Sequence, residues 1–228
     1  MFQREETSGK KYYFTFMIAM ILYFMWIGIR LLQNPQTAGM WIFYAVMLII
    51  SLAVLFFDWL TIKRFRYVDT ITAEKTPIPF KYTVLIGVGI AIFFAFKIVF
   101  TQTAFVPYPQ FATFKYDVIN SVASAVAGWI ENMFFFSFIL TSLTRILETY
   151  LSVMAYPAGG GLTITIFTVF HSFVYALNPV AMTWVFIFGA ICVASTLLFK
   201  TLVVADALHI SNNFIASMIN AKVALVIQ

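Results

Sequence analysis

This sequence predicts an all-α fold, a polytopic transmembrane helical bundle, and three observations predict it. Hydrophobic residues make up 62% of the chain and charged residues only 10%. The mean hydropathy is +0.94, far from the balance of a soluble domain. The apolar residues also fall into runs of about twenty, the length that crosses a hydrocarbon core. A soluble domain of 228 residues has too much surface to cover with so few charges. The single cysteine, Cys192, excludes an internal disulfide, and redox chemistry names no compartment. A net charge of +5 would suggest nucleic acid for a soluble protein. Here the placement of the basic residues explains it, and no nucleic-acid partner is expected.

The elements follow in order. After the polar "MFQREETSGKK", an apolar run from Tyr12 to about Leu32 is too long for a signal-peptide core. "QNPQTAG" after it offers no convincing cleavage site, so the run reads as a retained helix. A second span covers roughly Met40 to Ile62 and ends in a basic stretch. A third covers about Tyr82 to Phe100, followed by "TQTAFVPYPQFATFKY", whose prolines and aromatics suit an interfacial loop. The long apolar region from about Val118 to Leu147 holds one tilted helix, or a short helix joined to a span. "YPAGGG" at 156–161 is expected to break the chain. Spans then follow at about Leu162–Leu177, Val180–Phe199 and Thr201–Ala221. The total is seven, or eight if the long region is broken. The chain reads as a single integral domain, 1–228, with three spans and a loop over 1–117 and the chemistry-bearing part over 118–221.

Basic residues set the orientation. A cytoplasmic N-terminus places Arg4, Lys10, Lys11, Lys63, Arg64, Arg66, Lys75, Lys81, Arg145 and Lys200 inside. Only Arg30, Lys115 and Lys222 then lie outside, as the positive-inside rule expects. The expected location is a cell membrane, multi-pass, with lipid as one partner.

A polar side chain in hydrocarbon is costly and usually faces a protein interior or a cavity. Asp58 lies beside basic residues at a span end, and Lys97 is close enough to one to snorkel. Glu131, His171, Asp206 and His209 have no such explanation, nor do Asn132, Asn212 and Asn213 beside them. At ~1.5 Å per residue, His171 lies roughly 15 Å and His209 roughly 13 Å from the cytoplasmic side, and Glu131 on the order of 20 Å. Three different helices therefore bring polar groups to similar depth. His209 and Asn213 share a helical face, as do Phe167 and His171. Asp206, three residues before His209, is placed to orient its ring or, equally, to cap a cavity nearer the cytoplasm. Singly, each histidine or asparagine has a plain role as interhelical glue, and Asn212 is assigned to it. A mid-membrane carboxylate is a functional hypothesis by default.

A carboxylate and an imidazole in a dry site can share a proton and act as general base on water. A second imidazole and an amide can donate to the oxygen of a tetrahedral intermediate. On this reading Glu131 and His171 activate water, and His209 and Asn213 stabilise the oxyanion. The reaction is hydrolysis of an acyl bond, most naturally a peptide bond. A divalent metal held by His171, His209 and Glu131 ranks lower, since "HExxH" is absent and asparagine is a weak zinc ligand. No cofactor is expected. A proton-coupled transporter is a further alternative, though no internal repeat supports it.

The quoted segments "ENMFFF" at 131–136, "FTVFH" at 167–171 and "HISNN" at 209–213 resemble the CPBP group of intramembrane proteases. These are the CAAX proteases and bacteriocin-processing enzymes, also called the Abi family. Their pattern is Glu-Glu-x-x-x-Arg, then Phe-x-x-x-His, then His-x-x-x-Asn/Asp, and the resemblance covers about residues 118 to 221. It implies a membrane-embedded endopeptidase acting on a peptide or protein substrate. Glu131 and His171 would activate water, with His209 and Asn213 as the oxyanion site. Asn132 stands where the pattern has its second glutamate and Phe136 where it has arginine. If that pair orients the first glutamate or the substrate, activity here is weakened, altered in specificity, or lost. In the last case the chain would be a non-catalytic membrane binding or regulatory protein of the same fold.

Overall fold

The computed structural model describes residues 18, 45–52, 78–101, 118–175 and 178–227, and among these every regular element is helical. The expectations for the first span, for most of the second and for Asp58 lie outside the described residues, as does that for the Lys97 side chain. Residues 45–52 are helical and put Met47 into the core. Helix α1 is Phe80–Thr101. Helix α2, Val118–Asn132, runs into a π-helical segment, Met133–Ile139, and on into α3, Leu140–Leu151. A 3₁₀ turn at Ser152–Met154 leads to α4, Ala155–Tyr175. Helices α5, Pro179–Phe199, and α6, Val203–Ile227, complete the order.

Local chemistry explains where these helices begin and end. The Asn178 side chain accepts from the N–H groups of Val180 and Ala181 at 3.0 and 3.1 Å, and Pro179 takes the first helical position, where its missing N–H is not needed. Lys200 in the left-handed conformation (φ 53°, ψ 33°) closes α5. The short turn that follows makes α6 an antiparallel neighbour of α5. Ser152 (φ 51°, ψ −122°) closes α3, and α4 folds back against it.

The expected break at "YPAGGG" is not there: the chain turns at Ser152–Met154 and Tyr156–Gly161 are helical. Pro157 falls in the first turn of α4, the one place a helix accepts proline without losing a bond. Gly159 serves packing rather than turning, because a side chain there would meet Thr144 Oγ1 of α3 at 2.7 Å. The fifth expected span therefore starts seven residues too late.

The core forms where the π-helical segment meets α4 and α5. All seven residues Met133–Ile139 are buried, with Phe135, Phe136 and Phe138 wholly so. The Phe135 and Phe136 rings meet Phe167 and Phe170 of α4 at 5.0–5.3 Å. Helices α1 and α2 pack along α6. The outer surface is apolar: Leu85, Phe93, Phe186 and Leu198 are all at least half exposed. Two helical stretches are long and apolar enough to cross a membrane, Ser121–Ser172 and Pro179–Phe199. The first of these doubles back at Ser152.

Candidate functional site

Helix α2 carries two kinds of face. Val122, Val126 and Trp129 point outward, while Ser121, Ala125, Gly128 and Asn132 are buried. Four small or polar residues at helical spacing let the backbone of α2 approach α6 closely. The approach is tightest at Gly128, where an added Cβ would stand 2.8 Å from Asn213 Nδ2 and 3.0 Å from His209 Cδ2. His209 and Asn213 thus do share one face of α6, pressed on the α2 backbone.

One turn further along α2, Glu131 reaches the meeting point of three helices. Its Oε2 lies 3.5 Å from His171 Nε2 of α4 and 3.6 Å from His209 Nε2 of α6. Glu131, His171 and His209 are only 2–5% exposed. The separations exceed an ordinary hydrogen bond but are too short to admit a bridging water. Catalytic contacts of this kind commonly tighten when substrate binds. His171 Nδ1–H donates to the carbonyl oxygen of Phe167 at 2.9 Å, which turns Nε2 toward the carboxylate.

His209 is gripped at both ring nitrogens by consecutive residues of α2. Asn132 Oδ1 is 2.7 Å from His209 Nδ1, opposite the Glu131 contact. Asn132 Nδ2 in turn donates to Asp206 Oδ1 at 2.9 Å. Asp206 does act on the His209 ring, as the spacing suggests, but through Asn132 rather than directly. Asn213 Nδ2 donates to the Ser124 carbonyl at 3.1 Å, and Asn212 Nδ2 reaches Asn213 Oδ1 at 3.4 Å.

Aromatic rings wall the cluster. The Phe167 ring lies 4.3 Å from the His171 ring and 6.2 Å from that of His209. Phe188 meets His209 edge-on at 4.8 Å, and Phe170 meets His171 at 5.1 Å. Phe136, in the place of the resembled arginine, packs on Phe167 at 5.0 Å. Arg145 is bound elsewhere, to Glu148 at 2.7 Å. Glu148 also accepts from the Tyr156 hydroxyl. Few water-accessible groups surround the ionisable ones, so charge shared among Glu131, His171 and His209 is weakly screened.

Sequence reasoning singled out Glu131, Asn132, Phe167, His171, Asp206, His209 and Asn213, and the structure gathers all seven about α2, α4 and α6. It did not find Ser124, Gly128, Phe170 or Phe188. The first two had a legible signal, since Ser124, Gly128 and Glu131–Asn132 recur on one helical face. Phe170 and Phe188 had none among 27 phenylalanines. Among the described residues no group of three His, Cys, Asp or Glu side chains has the arrangement of a metal site. No protein-family model, curated protein or solved structure matches this chain.

Proposed function

We propose that this chain is a multi-pass membrane endopeptidase of the CPBP type, with seven spans and a cytoplasmic N-terminus. It would hydrolyse a peptide bond with water and no covalent enzyme intermediate. The observation that carries the reading is the convergence of His171 Nε2 and His209 Nε2 on one buried oxygen, Glu131 Oε2, at 3.5 and 3.6 Å. Helical packing alone gives no reason to bury a carboxylate between two imidazoles, and intramembrane ionisable groups mark functional sites.

The chemistry balances without a nucleophile from the protein. Water oxygen bonds to the scissile carbonyl carbon while one of its protons passes to the Glu131–His171 pair. The carbonyl π electrons move onto oxygen, where protonated His209 and the amide of Asn213 donate to it. The pair then returns its proton to the amide nitrogen, the C–N bond breaks, and an acid and an amine leave. The Asn213 NH₂ has two hydrogens, so one can hold the Ser124 carbonyl while the other donates to the oxyanion.

Full-length protein in lipid nanodiscs, given a peptide library in H₂¹⁸O, tests the proposal. The expected product carries one ¹⁸O in its new carboxylate, and no acyl-enzyme accumulates. Equal processing by the Glu131→Gln, His171→Ala double variant would overturn it. A specific observation also favours the non-catalytic reading: Asn132 is committed to His209 and Asp206, and Phe136 is sealed in the core. In that case the wild type cleaves nothing, and the double variant keeps any partner binding intact.

A further inference from the structure

We infer that Asn132 and Asp206 are positioning residues that fix the tautomer of His209. The only proton His209 then offers the site is one it shares with Glu131. The role in turnover rests on the hydrolytic reading above, whereas the tautomer itself follows from geometry alone.

Asp206 Oδ1 accepts from Asn132 Nδ2 at 2.9 Å. With Asp206 Oδ1 as the acceptor, this contact sets the Asn132 amide with its NH₂ toward Asp206 and its oxygen toward the ring. That oxygen is 2.7 Å from His209 Nδ1 and also can only accept, so Nδ1 carries a hydrogen. In a neutral ring the other nitrogen then bears a lone pair. That nitrogen, Nε2, is the one 3.6 Å from Glu131 Oε2. His171 is set the same way by the Phe167 carbonyl. Glu131 therefore faces two Nε2 lone pairs, and it binds either imidazole only through a shared proton.

Two consequences follow for the reaction. A neutral His209 cannot donate into the site, so it stabilises an oxyanion only as an imidazolium. The departure at position 132 also gains a physical reason. A carboxyl group there could fill both roles only while holding a proton, whereas asparagine donates to Asp206 and accepts from His209 at once.

Solid-state NMR of the full chain in bilayers, with ¹⁵N in the histidine rings, reads the tautomer directly. The chain has two histidines, told apart by their predecessors Phe170 and Leu208. His209 Nδ1 is expected to be protonated in the wild type. The same holds in Asp206→Asn, which keeps an oxygen to accept from Asn132. In Asp206→Leu the amide loses its anchor and turns, and the ring shifts to the Nε2–H form facing the Glu131 carboxylate. A wild-type ring with bare Nδ1 overturns the inference, and so does an Asp206→Leu spectrum identical to wild type. The wild-type spectrum decides the matter even if the leucine variant fails to fold. Protonated Nδ1 in a chain that cleaves nothing would remove the hydrolytic reading and leave this one standing. Bare Nδ1 in an active enzyme would do the reverse.

Discussion

Gly128 lies so close to His209 that a methyl group on its Cα would stand 3.0 Å from the imidazole Cδ2. The same methyl would be 2.8 Å from Asn213 Nδ2, so the proposed oxyanion pair rests on bare α2 backbone. Gly128→Ala must displace one of the two side chains. The steric cost is about 1–3 kcal/mol, partly offset by ~1 kcal/mol of helix propensity. A net loss of about 0–2 kcal/mol is therefore expected. The displacement forced on the oxyanion pair is expected to lower kcat by up to about 10²-fold. Unfolding and turnover measured on the same preparation separate the two effects.

Asn213 has two roles in this account, and its truncation distinguishes them. Loss of the bond to Ser124 alone costs about 1 kcal/mol of stability. Loss of an oxyanion donor costs about 10²–10³ in kcat with little change in KM. Asn213→Ala is expected to show both. A variant with reduced stability and unchanged kcat would mark Asn213 as interhelical glue.

Phe136 invites an obvious repair, the arginine of the resembled motif. The structure predicts that this repair fails. Phe136 is fully buried and its ring lies against Phe167, 5.0 Å away, so a guanidinium there would be charged and surrounded by aromatic carbon. Phe136→Arg is expected to destabilise by about 3–5 kcal/mol, against less than about 1.5 kcal/mol for Phe136→Leu. Reversible unfolding in mixed micelles would measure both. An arginine variant as stable as wild type would contradict the packing around α4.

Much of this site was legible in the sequence because intramembrane polarity is rare. Glu131, His171 and His209 stood out against apolar runs, and depth counting was enough to place them on separate helices at one level. Asp206 was legible as a partner of His209 from its spacing. The intervening Asn132 was not, because the contact depends on how α2 and α6 rotate about their axes. The small and polar face of α2 is legible, but hydrophobicity alone does not fix how α6 turns against it. The error at "YPAGGG" has a different cause. Proline and glycine mark turns in loops, but in the first turn of a packed apolar helix they allow close approach instead. The π-helical segment Met133–Ile139 had no signal in "MFFFSFI", since six of its seven residues are large and apolar and show no helical period.

The most direct test of the central claim is peptide cleavage by wild type and Glu131→Gln, reconstituted side by side in bilayers at matched folding. Glutamine keeps the shape of the side chain but cannot take a proton from water. The account predicts turnover by the wild type and a loss of at least about 10²-fold in the variant, with helical content and unfolding unchanged. Equal rates in the two proteins would contradict it and leave Glu131, His171 and His209 as a structural cluster.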